Sequence, residues 1–259
     1  ESQIMSYISP SLNFLITTVK KVGTSLTRDF NEIEQLQSSV KGHREFTQAA
    51  FERTAKGLRA ELQKGKPTYA VVTDGQPQPN APHFLVAPLD GMLNFIHGIP
   101  YFAISVAVVE NGVVTSGVIY NPATSDLYFA EKGQGAFKEG FRSHERLRVS
   151  SRKDLPEAVI GLTSVADGIP AFENVRLHGA LSLDLAYVAS GRLDAVVSRN
   201  NSAASVAAGM LLVKEGGGYV YEINQKDIRS DDLASVLASG NLIAVNANLG
   251  KKLYESLNK

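Results

Sequence analysis

The chain has no cysteine, which excludes disulfides and thiolate metal sites and leaves the redox compartment undecided. It has no charge excess either: 26 basic side chains balance 26 acidic ones. Counterion-release binding to a polyanion draws on a basic surplus, so this balance argues against a dedicated nucleic-acid or membrane-surface protein. No apolar run approaches the roughly 20 residues needed to span a bilayer. The opening residues show no basic segment leading into an apolar stretch, so no signal peptide is expected. Internal repeats and low-complexity tracts are also missing. What is there is 259 residues, 44% of them hydrophobic, enough to bury a substantial core as one large domain or two closely packed halves. The expectation is a soluble, cytoplasmic globular protein.

Over 10–30, apolar residues fall at Leu12, Leu15, Ile16, Val19, Val22, Leu26 and Phe30. Steps of three and four place them on one face of an amphipathic helix. A second helix is expected over 45–62, stopped near Gly65 and Pro67, then a short strand over 69–72. Gly75, Pro77, Pro79 and Pro82 mark an extended loop, and a strand follows over 83–86. Strands over 104–109 and 113–120 flank Glu110-Asn111-Gly112, where Asn-Gly is a strong tight-hairpin signal. A second hairpin joins strands over 127–130 and 136–138. A polar, basic stretch over 139–154 is the expected boundary between halves. Beyond it strands (159–162, 194–198, 219–223, 242–246) and helices (182–190, 203–214, 249–257) intermix, which implies a sheet covered by helices.

The strand at 83–86 delivers Ala87-Pro88-Leu89-Asp90-Gly91-Met92-Leu93-Asn94-Phe95-Ile96-His97-Gly98. Leu-Asp-Gly alone reads as a turn; the longer ordered set needs another account. It resembles the D-P-L-D-G-T-x-N-F-x-H-G signature of the inositol monophosphatase family of Mg²⁺-dependent phosphatases. The likeness extends over nearly the whole chain. Gly117-Val118-Ile119-Tyr120-Asn121-Pro122 and Lys132-Gly133-Gln134-Gly135-Ala136-Phe137 are similar to the family's strand and hairpin after the signature. The run from Leu183 to Asp194 is similar to L-D-L-A-Y-V-A-x-G-R-x-D, Ala207-Ala208-Gly209 to the helix after W-D-x-A-A-G, and 238–244 to the closing strand.

The resemblance implies an α/β (α+β) fold, the layered α-β-α-β-α sandwich of the inositol monophosphatase and fructose-1,6-bisphosphatase-like sugar phosphatases. Residues 1–145 would form an N-terminal half with an antiparallel sheet and two long helices. Residues 146–259 would form a C-terminal half with a mixed sheet, and the pocket would lie between them. A homodimer is implied as well.

The family's chemistry needs several carboxylates, because Mg²⁺ takes hard oxygen ligands in octahedral geometry. The metals polarise the ester, acidify a bound water and stabilise the leaving oxygen. Here the first signature Asp is Ala87, and the water-positioning Thr is Met92, whose thioether Mg²⁺ does not favour. The upstream acidic pair falls at Thr73-Asp74-Gly75, with Gly75 in place of the second Glu. The Trp-Asp of W-D-x-A-A-G is Ala204-Ser205, the acidic inositol-binding residue is Ser198, and the G-S-A-A turn is Gly179-Ala180-Leu181-Ser182. Asp90 and, by position, the Leu89 carbonyl are left as residual, weak metal contacts.

A degenerate member acting as a binding or scaffold protein is therefore expected, with no catalytic residue and no cofactor. The alternative is a Mg²⁺-dependent phosphomonoesterase, for inositol monophosphate or another sugar phosphate, using rebuilt ligands such as Asp74 or Asp184. If Gly91 and Met92 open a helix, their backbone N–H groups would favour weak phosphate or sulfate binding. A homodimer and a protein partner are expected; a membrane and direct nucleic-acid binding are not.

Other candidates are bland. Gly65-Lys66-Pro67-Thr68 is a helix stop and not a P-loop, because the upstream Gly is Ala60. Gly216-Gly217-Gly218 is a helix C-cap and turn. The segment over 165–176 reads as trimmed. His43, His83, His97, His144 and His178 show no metal-ligand spacing and read as isolated core or surface residues. Arg142, Arg146, Arg148, Arg152 and Lys153 read as a solvated basic run.

Overall fold

The computed structural model describes residues 8–37, 42–73, 78, 80–164, 172–224 and 233–257. Two helices open the chain, α1 (Pro10–Gln35) and α2 (Gly42–Gly65). Ser9 caps α1 by accepting the Leu12 N–H, and Pro10 occupies its first turn, where a missing N–H costs nothing. The strands β1 (Ala70–Val72), β2 (His83–Asp90), β3 (Ala103–Glu110), β4 (Val113–Asn121), β5 (Asp126–Glu131), β6 (Gly135–Lys138) and β7 (Glu145–Arg146) form a seven-stranded sheet in sequence order. Its β1–β2 pair is parallel and the others antiparallel. The β3–β4 turn has Asn111 at φ 53° and Gly112 at φ 74°, the left-handed pair expected of a two-residue hairpin loop.

A five-stranded mixed sheet follows in the order β11-β12-β10-β8-β9. Its strands are β8 (Val159–Leu162), β9 (Asn174–Arg176), β10 (Ala195–Ser198), β11 (Tyr219–Tyr221) and β12 (Leu242–Val245). The remaining helices are the short α3 (Met92–Ile96), α4 (Leu181–Ala189), α5 (Ala203–Glu215), α6 (Leu233–Ser239) and α7 (Gly250–Leu257).

Three apolar cores lie between the layers. Leu15, Val19, Leu26, Leu58 and Leu62 of α1 and α2 cover one face of the first sheet through Phe84, Val86, Ile104 and Val118. The opposite face, carrying Leu85, Ala107 and Ile119, packs on α4 and α5, which in turn meet Val196, Val220 and Ala244 of the second sheet. The far face of that sheet, with Ile160, Val197 and Ile243, is closed by Leu253 of α7. The order α-β-α-β-α is thus the expected sandwich, and alternate residues of β2 feed different cores as the period of two requires.

The middle layer explains an odd stretch of sequence. Helix α5 is apolar all round, with Ala203, Ala204, Val206–Val213 buried, as a helix enclosed on both sides must be. Its small residues let neighbours approach. A Cβ on Gly209 would lie 2.5 Å from Leu185 Cβ, and one on Gly117 of β4 would lie 2.9 Å from Ala208 Cα. At the other end of α5 the Glu215 carboxylate accepts the Gly133 and Gly135 N–H groups of the β5–β6 turn, each at 2.8 Å.

Some expectations change. Strand β2 runs on past Val86 to Asp90, and β7, β9 and α6 add to the expected elements. The basic run is not simply solvated. Arg152 Nε donates to both oxygens of Asp194, at 3.1 Å each, and the buried Asp194 also accepts the Val159 N–H at 2.8 Å. Arg152 therefore ties the segment before β8 to the second sheet.

Gly209→Ala forces a methyl into the α4–α5 contact. A destabilisation of about 1–3 kcal/mol is expected, read as a lower unfolding midpoint in denaturant with an unchanged m-value.

Candidate active site

The site is built where β2 ends. Between Ala87, opposite Ser105, and Asp90, opposite Ala103, the register shifts. Pro88 lies inside that irregularity, as expected for a residue with no N–H to give a ladder. Leu89 buries its side chain in the core beneath α1 and α2. Gly91 then takes φ 85° as the N-cap of α3. A Cβ there would come within 2.9 Å of both the Ala180 Cβ and the Tyr101 carbonyl oxygen, so conformation and space both demand glycine.

Asp90 is partly buried, and one of its oxygens accepts from Ser182 twice, from the N–H at 2.7 Å and from Oγ at 2.6 Å. The adjacent Gly91 N–H also favours the charged form of the acid. Ser182 lies in the first turn of α4, whose own N-cap residue, Ala180, offers no side-chain acceptor. Asp90 thus caps α4 from another strand, a carboxylate against the positive end of a helix. Burial still pushes its carboxyl above the usual range, with the nearby Asp184 adding to the rise.

Asn94 binds the surrounding loops. Its Nδ2 donates to the carbonyls of Tyr101 and His178, both at 2.7 Å, and its own carbonyl accepts the Ile99 N–H at 2.8 Å. Gly179, at φ 84°, lets the 178–180 turn approach; a Cβ there would sit 3.1 Å from Asn94 Nδ2.

Asp184 is fully buried, and one oxygen accepts from Tyr101 Oη and meets His178 Nδ1, each at 2.7 Å. Its other oxygen has no partner among the described residues. Burial pushes this carboxyl up, opposed by His178 and Tyr101; burial and the Asp184 charge push the Tyr101 hydroxyl up. His178 is therefore not the isolated residue its spacing suggested. A pairing across six residues and a loop leaves no sequence period to reveal it.

The substituted positions are occupied as follows. Ala87 packs against the middle-layer core. Its cross-strand neighbour Ser105 is fully buried, with an Oγ that finds no partner among the described residues. Met92 is partly buried against the α1–α2 core. Ser205 spends its hydroxyl on the Ser202 carbonyl at 2.9 Å, while Ser202 caps α5 through the Ser205 N–H. Ser198 is buried between Thr163 Oγ1, at 2.6 Å, and Asn201 Nδ2, at 2.7 Å. Asp74, Gly75 and most of the 165–176 segment lie outside the described residues.

Among the described residues no group of three or more His, Asp or Glu side chains converges to hold a metal ion. Asp90 and Asp184, each bonded internally, do not make up the oxygen shell that Mg²⁺ requires. The described donors do not fit the family's metal pair.

Layered sheets with a turn-and-helix acid motif between them define the sugar-phosphatase class of fold. The family model for the inositol monophosphatase family matches residues 8–259, and the chain belongs to that family. It is 37% identical to a Rhizobium meliloti protein named inositol-1-monophosphatase, over 97% of each chain. It is 32% identical to a Xylella fastidiosa protein named Nus factor SuhB, over 95% of this chain and 94% of that one. The crystal structure of extragenic suppressor protein suhB from Bartonella henselae superposes with a TM-score of 0.81 at 32% identity, covering 98% of this chain and 100% of that one. The Thermotoga maritima IMPase gives 0.78 at 29%, covering 96% and 97%.

Two stability changes follow. Ser182→Ala removes one donor to Asp90 and leaves the N–H cap, while Asp90→Ala removes the cap entirely; about 1 and about 2–3 kcal/mol are expected, respectively, from denaturant melts. Because burial raises the folded pKa of Asp184 above its unfolded value, its proton favours the fold. That contribution is complete below about pH 4 and is lost as pH rises through the raised folded value. Thermal midpoints across this range should fall less steeply with pH in Asp184→Asn than in the parent.

Proposed function

We propose that this chain uses the inositol monophosphatase fold as a binding or scaffold protein and does not carry out Mg²⁺-dependent ester hydrolysis. The observation that carries this reading is the state of Asp90, the signature acid that survives. Its accepting oxygen is taken up by Ser182 and the first signature position is Ala87, so no oxygen cage surrounds it among the described residues. The hydroxyls of Ser198 and Ser205, at the substrate and metal positions, are likewise engaged internally, by Thr163 and Asn201 and by Ser202 respectively. Similarity to proteins named Nus factor SuhB and extragenic suppressor protein accords with a role other than hydrolysis, and a homodimer with a further protein partner belongs to this reading. Weak phosphate or sulfate contact at the Gly91 and Met92 N–H groups, at the opening of α3, belongs to this reading as well.

A specific observation favours a second reading, a Mg²⁺-dependent phosphomonoesterase for inositol monophosphate or a related sugar phosphate. Relatives at 37%, 35% and 34% identity carry the name inositol-1-monophosphatase, and as names they support hydrolysis better than they support a scaffold. Such an enzyme would draw its metal ligands from Asp90 together with Asp74 or Asp184. Family membership is common to both readings; the residues of this chain separate them.

Calorimetric titration with Mg²⁺ and an inositol monophosphate assay decide the matter. No binding heat and no release of phosphate above background are expected. Restoring Gly75→Glu, Ala87→Asp, Met92→Thr and Ser205→Asp together should create Mg²⁺ binding, and no single reversion should, since a metal site needs several ligands at once. Robust turnover by the unmodified chain, abolished by EDTA and by Asp90→Asn, would establish the phosphomonoesterase instead.

A further inference from the structure

We infer that His178 is a ligand-contacting group of this site, held by Asp184 so that its Nε2 is presented as an acceptor for a ligand hydroxyl. The inference takes from the proposed function only that the pocket receives a small ligand, and it is indifferent to whether Mg²⁺ binds.

Every part of the ring's placement is fixed except that nitrogen. Nδ1 lies 2.7 Å from the Asp184 carboxylate, and Tyr101 Oη, also at 2.7 Å, holds the same oxygen. The Tyr101 and Tyr187 rings flank the imidazole at 5.0 and 6.2 Å between centroids. The backbone is pinned as well: the His178 carbonyl accepts from Asn94 at 2.7 Å, and Gly179 follows in the left-handed region. Asp184 is fully enclosed, yet the His178 side chain keeps 29% of its surface exposed. Nε2 bonds to none of the described residues.

A carboxylate that accepts from Nδ1–H fixes the neutral imidazole in the tautomer whose bare lone pair is on Nε2. This is the support given to a general base or a ligand-orienting histidine. A fold in need of packing alone would fill the position with an apolar side chain, since burying a carboxylate to orient a half-exposed ring adds cost without adding core. Nε2 is a bare acceptor and the partly buried Asp90 beside it is another, so the complementary ligand is one rich in hydroxyl donors.

The test is reactivity and tautomer state, both read on the full chain. Diethyl pyrocarbonate acylates a free imidazole nitrogen. The Nε2–C bond forms, the C–O bond to the ethyl carbonate leaving group breaks, and the Nδ1 proton passes to Asp184 and on to solvent. By mass spectrometry His178 should be labelled at least as fast as the exposed His97. Asp184→Asn should slow His178 about tenfold and leave His97 unchanged; Tyr101→Phe should give a smaller, same-direction loss in a variant that keeps the buried acid. ¹⁵N spectra of the parent should show the proton on Nδ1, and sorbitol titrated to molar concentration, as a hydroxyl-rich probe, should shift the Nε2 resonance. A proton on Nε2, labelling of His178 that neither variant changes, or an Nε2 signal unmoved by sorbitol would overturn the inference. Mg²⁺-dependent turnover would overturn the scaffold reading and leave this one standing.

Discussion

The middle helical layer has almost no contact with water, and that enclosure governs the rest of the molecule. A helix end that cannot be solvated must find partners for its free N–H and carbonyl groups inside the protein. The start of α4 finds Asp90, 92 positions away in sequence. The start of α5 uses Ser202 from its own turn. At the end of α5, the Glu215 carboxylate is bonded to the β5–β6 turn and the Gly216 carbonyl to the Val149 N–H. The start of α4 and the end of α5 are thus tied to distant parts of the chain, and these ties lock the two sheets onto one layer.

That constraint gives Asp90 a reason to persist that owes nothing to metal. In a phosphatase of this family the acid would be shared between cations and fold. Here the Ser182 hydroxyl, at a position where the family's turn carries Ala, supplies the donor at 2.6 Å. Ala180, where the family's turn carries Ser or Thr, leaves the helix without a cap of its own. Ser105 shows the opposite case. Its buried Oγ beside Ala87 has no partner among the described residues, which is what removing a carboxylate from position 87 without repacking its neighbour would leave.

The layered fold was legible because its elements are long or strongly patterned. The stripe from Leu12 to Phe30, the Asn111-Gly112 turn and the apolar blocks at 195–198 and 242–245 each state one local choice that the packing repeats. The two-residue β7 and three-residue β9 are too short to show any period, and they exist because a neighbouring strand edge recruits them. At the site, the motif located Asp90, Gly91 and Asn94, but their working partners, Ser182, Tyr101 and His178, come from distant turns. No spacing rule links Asp90 to Ser182 or Arg152 to Asp194; only the crossing of chains does. For the same reason the basic run misled: Arg152 shares its composition with its neighbours, but its Nε lies 3.1 Å from both oxygens of a buried acid.

Charge explains why the two acids of this site carry donors of their own. Two carboxylates near one another in a partly dry site repel, and burial alone pushes both Asp90 and Asp184 toward their neutral forms. A divalent cation would reverse that tendency for both at once. Without one, the repulsion has to be met by local donors, and each acid has its own set: Ser182 and Gly91 for Asp90, Tyr101 and His178 for Asp184. Hydrogen bonds of this kind are directional and leave little slack, so they fix the acids in place where a cation would let them adjust to a substrate. The same donors that hold each acid therefore also fix this part of the site, with the His178 ring as the part of it that meets solvent through a nitrogen unbonded among the described residues.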